Sequence, residues 1–123
     1  MSKVMIVDDE QAIAEGLKAF FELDGFEVRT VSGGGAAQGA ARDWLPDVII
    51  LDIMMPGLNG WQVLKALKED AATKSIPVVM SSVMEKEEDV NRSISLGAAE
   101  YVVKTIDPEK IVEKIKTLLS RGK

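Results

Sequence analysis

Short apolar runs dominated by Val and Ile recur five times along this chain, each followed by a longer stretch whose apolar residues fall at helical spacing. A βα repeat has this form, because a parallel strand needs a crossover long enough to carry the chain back over its sheet. The strand candidates are Lys3 to Val7, Phe26 to Val31, Asp47 to Leu51, Ile76 to Ser81 and Glu100 to Val103. Four of them are near-continuous apolar runs, as strands covered on both faces require, and the more polar Phe26 to Val31 suits an edge. A length of 123 residues suits one such α/β domain over residues 1–123, with a core that needs neither disulfide nor structural metal.

The helical stretches carry their own punctuation. The first is expected from about Glu10 to Asp24, with Ile13, Leu17, Phe20 and Phe21 on its buried face and Gly25 as a left-handed stop. The third places Trp61, Leu64 and Leu67 at helical spacing behind Asn59 and Gln62, a capping-box pair. In the fifth, Asp107 caps, Pro108 takes the first helical position, and Ile111, Ile115 and Leu118 form the stripe. The second, around Ala36 to Asp43, is the weak and mobile one, because Gly33, Gly34, Gly35 and Gly39 each cost up to about 1 kcal/mol relative to Ala.

Composition narrows the chemistry. Cys and His are both absent, which removes thiolate catalysis, Cys-based zinc sites and imidazole as base or ligand. The net charge of -5 argues against direct nucleic-acid binding and favours basic partner surfaces. The longest N-terminal apolar run, Val4 to Val7, is too short for a signal sequence or a membrane span, so a cytoplasmic location is expected.

In open parallel sheets, ligands bind outside the carboxyl ends of the strands, so the polar residues there are the candidates. They are Asp8 and Asp9 after the first run, Asp52 after the third, Ser82 after the fourth and Lys104 after the fifth. Each has a plainer role open to it: Asp8 and Asp9 could cap a helix, Asp52 could form a turn, and Ser82 with Glu85 makes a capping-box pattern for the fourth helix. Three carboxylates at one edge nevertheless raise each other's pKa unless a cation joins them. Mg²⁺ suits Asp9 and Asp52 as ligands, and Lys104 adds a second positive charge. A carboxylate so placed can attack phosphorus and form an acyl phosphate, with Ser82 donating to a phosphoryl oxygen.

Four motifs sharpen this reading: V-D-D-E at Val7 to Glu10, L-D-I-M-M-P-G-L-N-G at Leu51 to Gly60, I-P-V-V-M-S-S at Ile76 to Ser82, and L-G-A-A-E-Y-V-V-K at Leu96 to Lys104. With them the chain resembles the receiver domain of two-component response regulators from Lys3 to about Leu119. The resemblance implies a flavodoxin-like, doubly wound five-stranded parallel sheet of order 2-1-3-4-5. It implies Asp52 as phosphoacceptor and Mg²⁺ as cofactor, held by Asp9 directly, Asp8 through water and the Met54 backbone carbonyl. Lys104 matches the family lysine, Ser82 the switch hydroxyl and Tyr101 the switch aromatic. The phosphoryl donor would be a phosphohistidine of a sensor histidine kinase or phosphotransfer protein. The fourth helix, fifth strand and fifth helix would form the face that changes for a downstream protein target.

The chain departs from the family pattern at several positions. Thr105 stands where Pro, commonly cis, usually follows the lysine, and a cis bond before Thr would cost about 2.5–4 kcal/mol, so a trans loop is expected. Val83 replaces the usual Ala or Gly and narrows the path to Asp52. Met54 and Met84, two residues after Asp52 and Ser82, cannot orient water, which predicts slow self-dephosphorylation.

Two other functions fit the same fold class. A haloacid-dehalogenase-type phosphatase needs an acid two residues after its nucleophile, where Met54 stands. A flavodoxin-type carrier needs a phosphate loop where Asp8 and Asp9 would repel phosphate. Neither accounts for the residues as well as a non-enzymatic phosphoacceptor. An atypical receiver that signals by contact alone remains the alternative. No DNA-binding module follows Leu119, so output through protein contact is expected.

Overall fold

The computed structural model describes residues 2–121. Five strands and five helices alternate: β1 Lys3–Val7, α1 Gln11–Leu23, β2 Glu27–Val31, α2 Gly34–Trp44, β3 Val48–Asp52, α3 Gly60–Glu69, β4 Val78–Ser82, α4 Glu87–Ser95, β5 Glu100–Val103 and α5 Pro108–Arg121. The strands form one parallel sheet in the order β2-β1-β3-β4-β5. This is the flavodoxin-like order the resemblance implied.

The sheet separates two cores. On one face Met5, Val7, Ile49, Leu51, Val78 and Met80 pack with residues of α2 and α3. On the other, Val4, Ile6, Val28, Val48, Ile50 and Val79 pack against α1 and α5. Side chains alternate between the faces with the period of two that strands impose, so β1, β3 and β4 must be apolar on both. β2 alternates between exposed and buried residues, as an edge strand does.

Local capping signals hold at several ends. Asn59 accepts from the Gln62 backbone at 3.0 Å while Gln62 accepts from the Asn59 N–H at 2.8 Å, completing the capping box of α3. Asp107 Oδ1 accepts from the Glu109 N–H at 3.1 Å at the start of α5. Gly25 takes φ +90° behind α1, the left-handed stop expected of it.

Three expectations need correction. The buried face of α1 is Ala14, Leu17 and Phe21, whereas Ile13 and Phe20 remain 43% and 36% exposed. The stripe is rotated because the i, i+3, i+7 set centred on Leu17 faces the sheet. α2 starts two residues earlier than expected, at Gly34, and the glycine there has a packing reason. A Cβ on it would stand 2.6 Å from the Leu58 carbonyl oxygen and 2.9 Å from Val63 Cγ2. The plainer capping-box role left open for Ser82 and Glu85 is not taken, because Ser82 is the last residue of β4 and α4 begins only at Glu87 behind Lys86. Ser82 Oγ instead accepts from the Met84 N–H at 3.1 Å and turns the chain out of the strand.

Candidate functional site

Asp8 follows β1 directly, and Asp52 and Ser82 are the last residues of β3 and β4, so neighbouring parallel strands deliver all three to one edge of the sheet. Lys104 follows β5, and its backbone N–H donates to the Ser82 carbonyl at 2.8 Å. Its side chain reaches back across the sheet edge. The ammonium stands 3.0 Å from Asp8 Oδ2, 3.3 Å from Asp52 Oδ2 and 3.4 Å from Glu10 Oε1. No peptide bond is cis among the described residues, so the bond before Thr105 is trans and Lys104 still reaches both buried aspartates.

The loops hold the two aspartates in place. Asp8 Oδ1 accepts from the Glu10 N–H at 2.9 Å, which fixes its carboxylate as the chain enters α1. Asp52 Oδ1 accepts from the Met54 N–H at 3.3 Å. Behind Asp52, the Gly60 N–H donates to the Ile53 carbonyl at 2.8 Å. A Cβ on Gly60 would overlap the Asp52 carbonyl oxygen and stand 2.7 Å from Ile53 Cα. Only glycine lets α3 start this close to the Asp52 backbone.

Electrostatics follow from burial. Asp52 is 2% exposed, and burial pushes its carboxyl up to about 6, with the Asp8 charge adding to the rise and Lys104 and the Met54 N–H opposing it. Burial opposes the charge on Lys104 too, but the hydrogen bond to Asp8 and the charges of Asp52 and Asp8 outweigh it and hold the ammonium above the usual lysine value. Asp52 Oδ2 faces Lys104 without hydrogen-bond alignment, and among the described residues it is the buried side-chain oxygen with no hydrogen-bond partner.

The carboxylates of Asp8, Glu10 and Asp52 each bring an oxygen within 4.8 Å of the others. Hard oxygen donors around an unsatisfied buried carboxylate oxygen fit a divalent cation. Asp9, the direct ligand implied by the resemblance, lies outside that group and is exposed. Glu10 was not singled out in the sequence, although it closes the V-D-D-E motif. Ser81, which pairs with Asp52 across β3 and β4, was not singled out either.

The remaining candidates divide between the interior and the surface. Ser82 is fully buried and Tyr101 half-buried, its hydroxyl donating to the Met84 carbonyl at 2.8 Å. Burial raises the Tyr101 phenol above its ordinary value, and the neighbouring Ser82 hydroxyl acts in the opposite direction. The side chains of Met54 and Val83 are exposed, 61% and 64%.

Residues 4–116 match the family model of the response regulator receiver domain. PilH of Pseudomonas aeruginosa is 36% identical over 120 residues, which cover 98% of this chain and 99% of PilH. The phosphate regulon transcriptional regulatory protein PhoB of Rhizobium meliloti is 32% identical over 123 residues, all of this chain but only 54% of PhoB. The chain thus spans about half the length of one relative and nearly the whole of the other. Among solved structures, the Francisella response regulator 1452 receiver domain superposes with a TM-score of 0.93 at 28% identity, each chain covered in full. The chemotaxis protein CheY4 of Vibrio cholerae gives 0.90 at 29% identity, with 95% of this chain and 98% of CheY4 covered. With its strand order, its acidic edge and its sequence all in agreement, this chain belongs to the response regulator receiver domain family of two-component systems.

Proposed function

We propose that the chain is a phosphorylation-dependent receiver in which Asp52 accepts a phosphoryl group from a phosphohistidine of a sensor histidine kinase or phosphotransfer protein. The observation that carries this reading is the buried Asp52 carboxylate, whose Oδ2 faces the Lys104 ammonium at 3.3 Å and is held by no other group. A carboxylate oxygen attacks phosphorus, the P–N bond breaks, and the imidazole leaves with the bonding pair. Lys104 balances charge on the transferred group, and Ser82, two strands from β1 on the same edge, donates its hydroxyl to it. Mg²⁺ would be held by Asp8, Asp9 and Asp52 with the Met54 carbonyl, Glu10 standing beside them. When bound it neutralises negative charge on carboxylate and phosphoryl oxygens.

The output follows from what Ser82 and Tyr101 touch. Ser82 Oγ holds the Met84 N–H and Tyr101 holds the Met84 carbonyl, so a Ser82 hydroxyl drawn toward Asp52 alters the segment leading into α4. The changed face is α4, β5 and α5, presented to a downstream protein. The chain catalyses only its own phosphoryl uptake and slow loss, and Met54 as the second residue after Asp52 supports this over a phosphatase.

The test is incubation with acetyl phosphate and Mg²⁺ followed by intact-mass measurement. A gain of one phosphate that disappears in Asp52→Ala is expected. No gain in the native chain would favour a receiver that works by contact alone.

A further inference from the structure

α3 meets α4 through Trp61, a residue with no part in the phosphoryl chemistry proposed above. Trp61 Nε1 donates to Ser93 Oγ at 2.9 Å, and Ser93 Oγ donates onward to the Asp89 carbonyl at 3.0 Å, one turn earlier in α4. Ser93 is 0% exposed, and α4 buries no other residue among those described. The guanidinium of the next residue back, Arg92, lies 4.0 Å from the centre of the indole ring. One indole thus holds two consecutive residues of α4, Ser93 by its N–H edge and Arg92 by its face.

Trp61 itself is anchored to the sheet. It follows Gly60, whose N–H donates to the Ile53 carbonyl at 2.8 Å and which lies so close to the Asp52 carbonyl that a Cβ would overlap it. The indole also packs against the core formed with α2 and α3. An indole fixed in this way stays behind when α4 moves, so its contact with Ser93 breaks. The far end of α4 rests on α3 as well. Gly97 turns the chain toward β5 at φ +108°, and a Cβ there would lie 3.2 Å from Lys68 Cγ. Lys68 is held in turn by hydrogen bonds from its ammonium to the Lys74 and Ile76 carbonyls, at 3.1 Å and 2.9 Å. α4 therefore has a firm support behind it at Gly97, a breakable contact at Ser93, and at its start the Met84 segment tied to Ser82 and Tyr101.

We propose that Trp61 is a latch: its N–H bond to Ser93 and its ring against Arg92 hold α4 where the structure has it, and loading of Asp52 moves α4 off that contact. The latch rests on the reading of Asp52 as phosphoacceptor and of α4 as part of the changed face. A contact made in only one of two states weights the equilibrium by its own free energy, so the latch sets how much phosphoryl binding must supply before α4 shifts. By reciprocity, cutting the latch tightens the binding of whatever loads Asp52.

The experiment titrates the whole chain with beryllofluoride and Mg²⁺, a stable analogue of the acyl phosphate, and follows α4 by amide exchange. Trp61→Phe removes the N–H and leaves Ser93 Oγ its bond to the Asp89 carbonyl, so no buried hydroxyl loses its acceptor. Beryllofluoride should bind this variant about fivefold more tightly than the native chain, the weight of roughly one net hydrogen bond. Residues 87–95 should exchange faster in the unloaded variant than in the unloaded native chain, and alike in the two loaded proteins. Arg92→Ala, at an exposed position, should tighten loading by about twofold with an unchanged unfolding midpoint, and it decides the matter if Trp61→Phe does not fold. Variants that load no more tightly than the native chain, or an α4 loosened equally with and without beryllofluoride, would overturn the latch and leave Trp61 as packing. A native chain that takes up no beryllofluoride overturns the reading of Asp52, and the latch with it; a native chain that loads beside variants that load no better overturns the latch alone.

Discussion

Asp52 works against the stability of the fold that holds it. Its carboxyl is shifted from 3.8 to about 6 by burial first and by Asp8 second. A folded state that binds this proton more tightly than the unfolded chain loses stability as pH rises from about 4 through about 6, and the full penalty is present above that window. Asp52→Asn should therefore stabilise the Mg²⁺-free protein at pH 7.5 by on the order of 1–3 kcal/mol, with the gain shrinking toward pH 4.5. Denaturant unfolding at the two pH values checks this, and an equal effect at both would show that burial does not penalise the charge. On the proposed reading of Asp52 as phosphoacceptor, Met54 bears on the other end of the cycle. Its exposed apolar side chain cannot hold a water in line with the acyl phosphate, so Met54→Asn should shorten the lifetime of the phosphorylated chain several-fold, read as loss of the phosphate mass with time.

Among the helices, α4 buries the fewest residues. Ser93 is its one buried residue among the described residues, and its hydroxyl accepts from Trp61 Nε1 at 2.9 Å while donating to the Asp89 carbonyl at 3.0 Å. Arg92 lies 4.0 Å from the centre of the same indole ring. Little apolar area is lost when such a helix moves, so it can shift at small cost. Ser93→Ala should cost about 1 kcal/mol and speed amide exchange across residues 87–95 while leaving β1 and β3 protected. Uniformly faster exchange would mean that α4 is no looser than its neighbours. These ties also show what sequence reading reaches. Asn59 with Gln62, Asp107 with Glu109, and Gly25 were legible because each acts within a few residues of itself. The start of α4, the rotation of Ile13 and Phe20 away from the core, and the pairing of Trp61 with Ser93 were not. They depend on elements far apart in the chain, as does the contact of Glu10 with Lys104 across 94 positions.

For the whole molecule, the strand order fixes how the site is divided along the chain. Asp8, Asp9, Glu10 and Asp52 all precede the turn that follows α3, and Ser82, Tyr101 and Lys104 all follow it. The halves meet where β3 pairs with β4, Asp52 lying opposite Ser81, and where Val78 and Met80 join the core of Ile49 and Leu51. A break between the exposed Lys74 and Ser75 would give an acidic fragment that carries Asp52 without Lys104, and a second fragment with Lys104 and Ser82 but without Asp52. Neither fragment should be labelled by acetyl phosphate alone, and mixing should restore labelling in proportion to the complex formed. Fused to two separate proteins, the halves would act as a coincidence detector, with Asp52 reactive only while its two carriers are together.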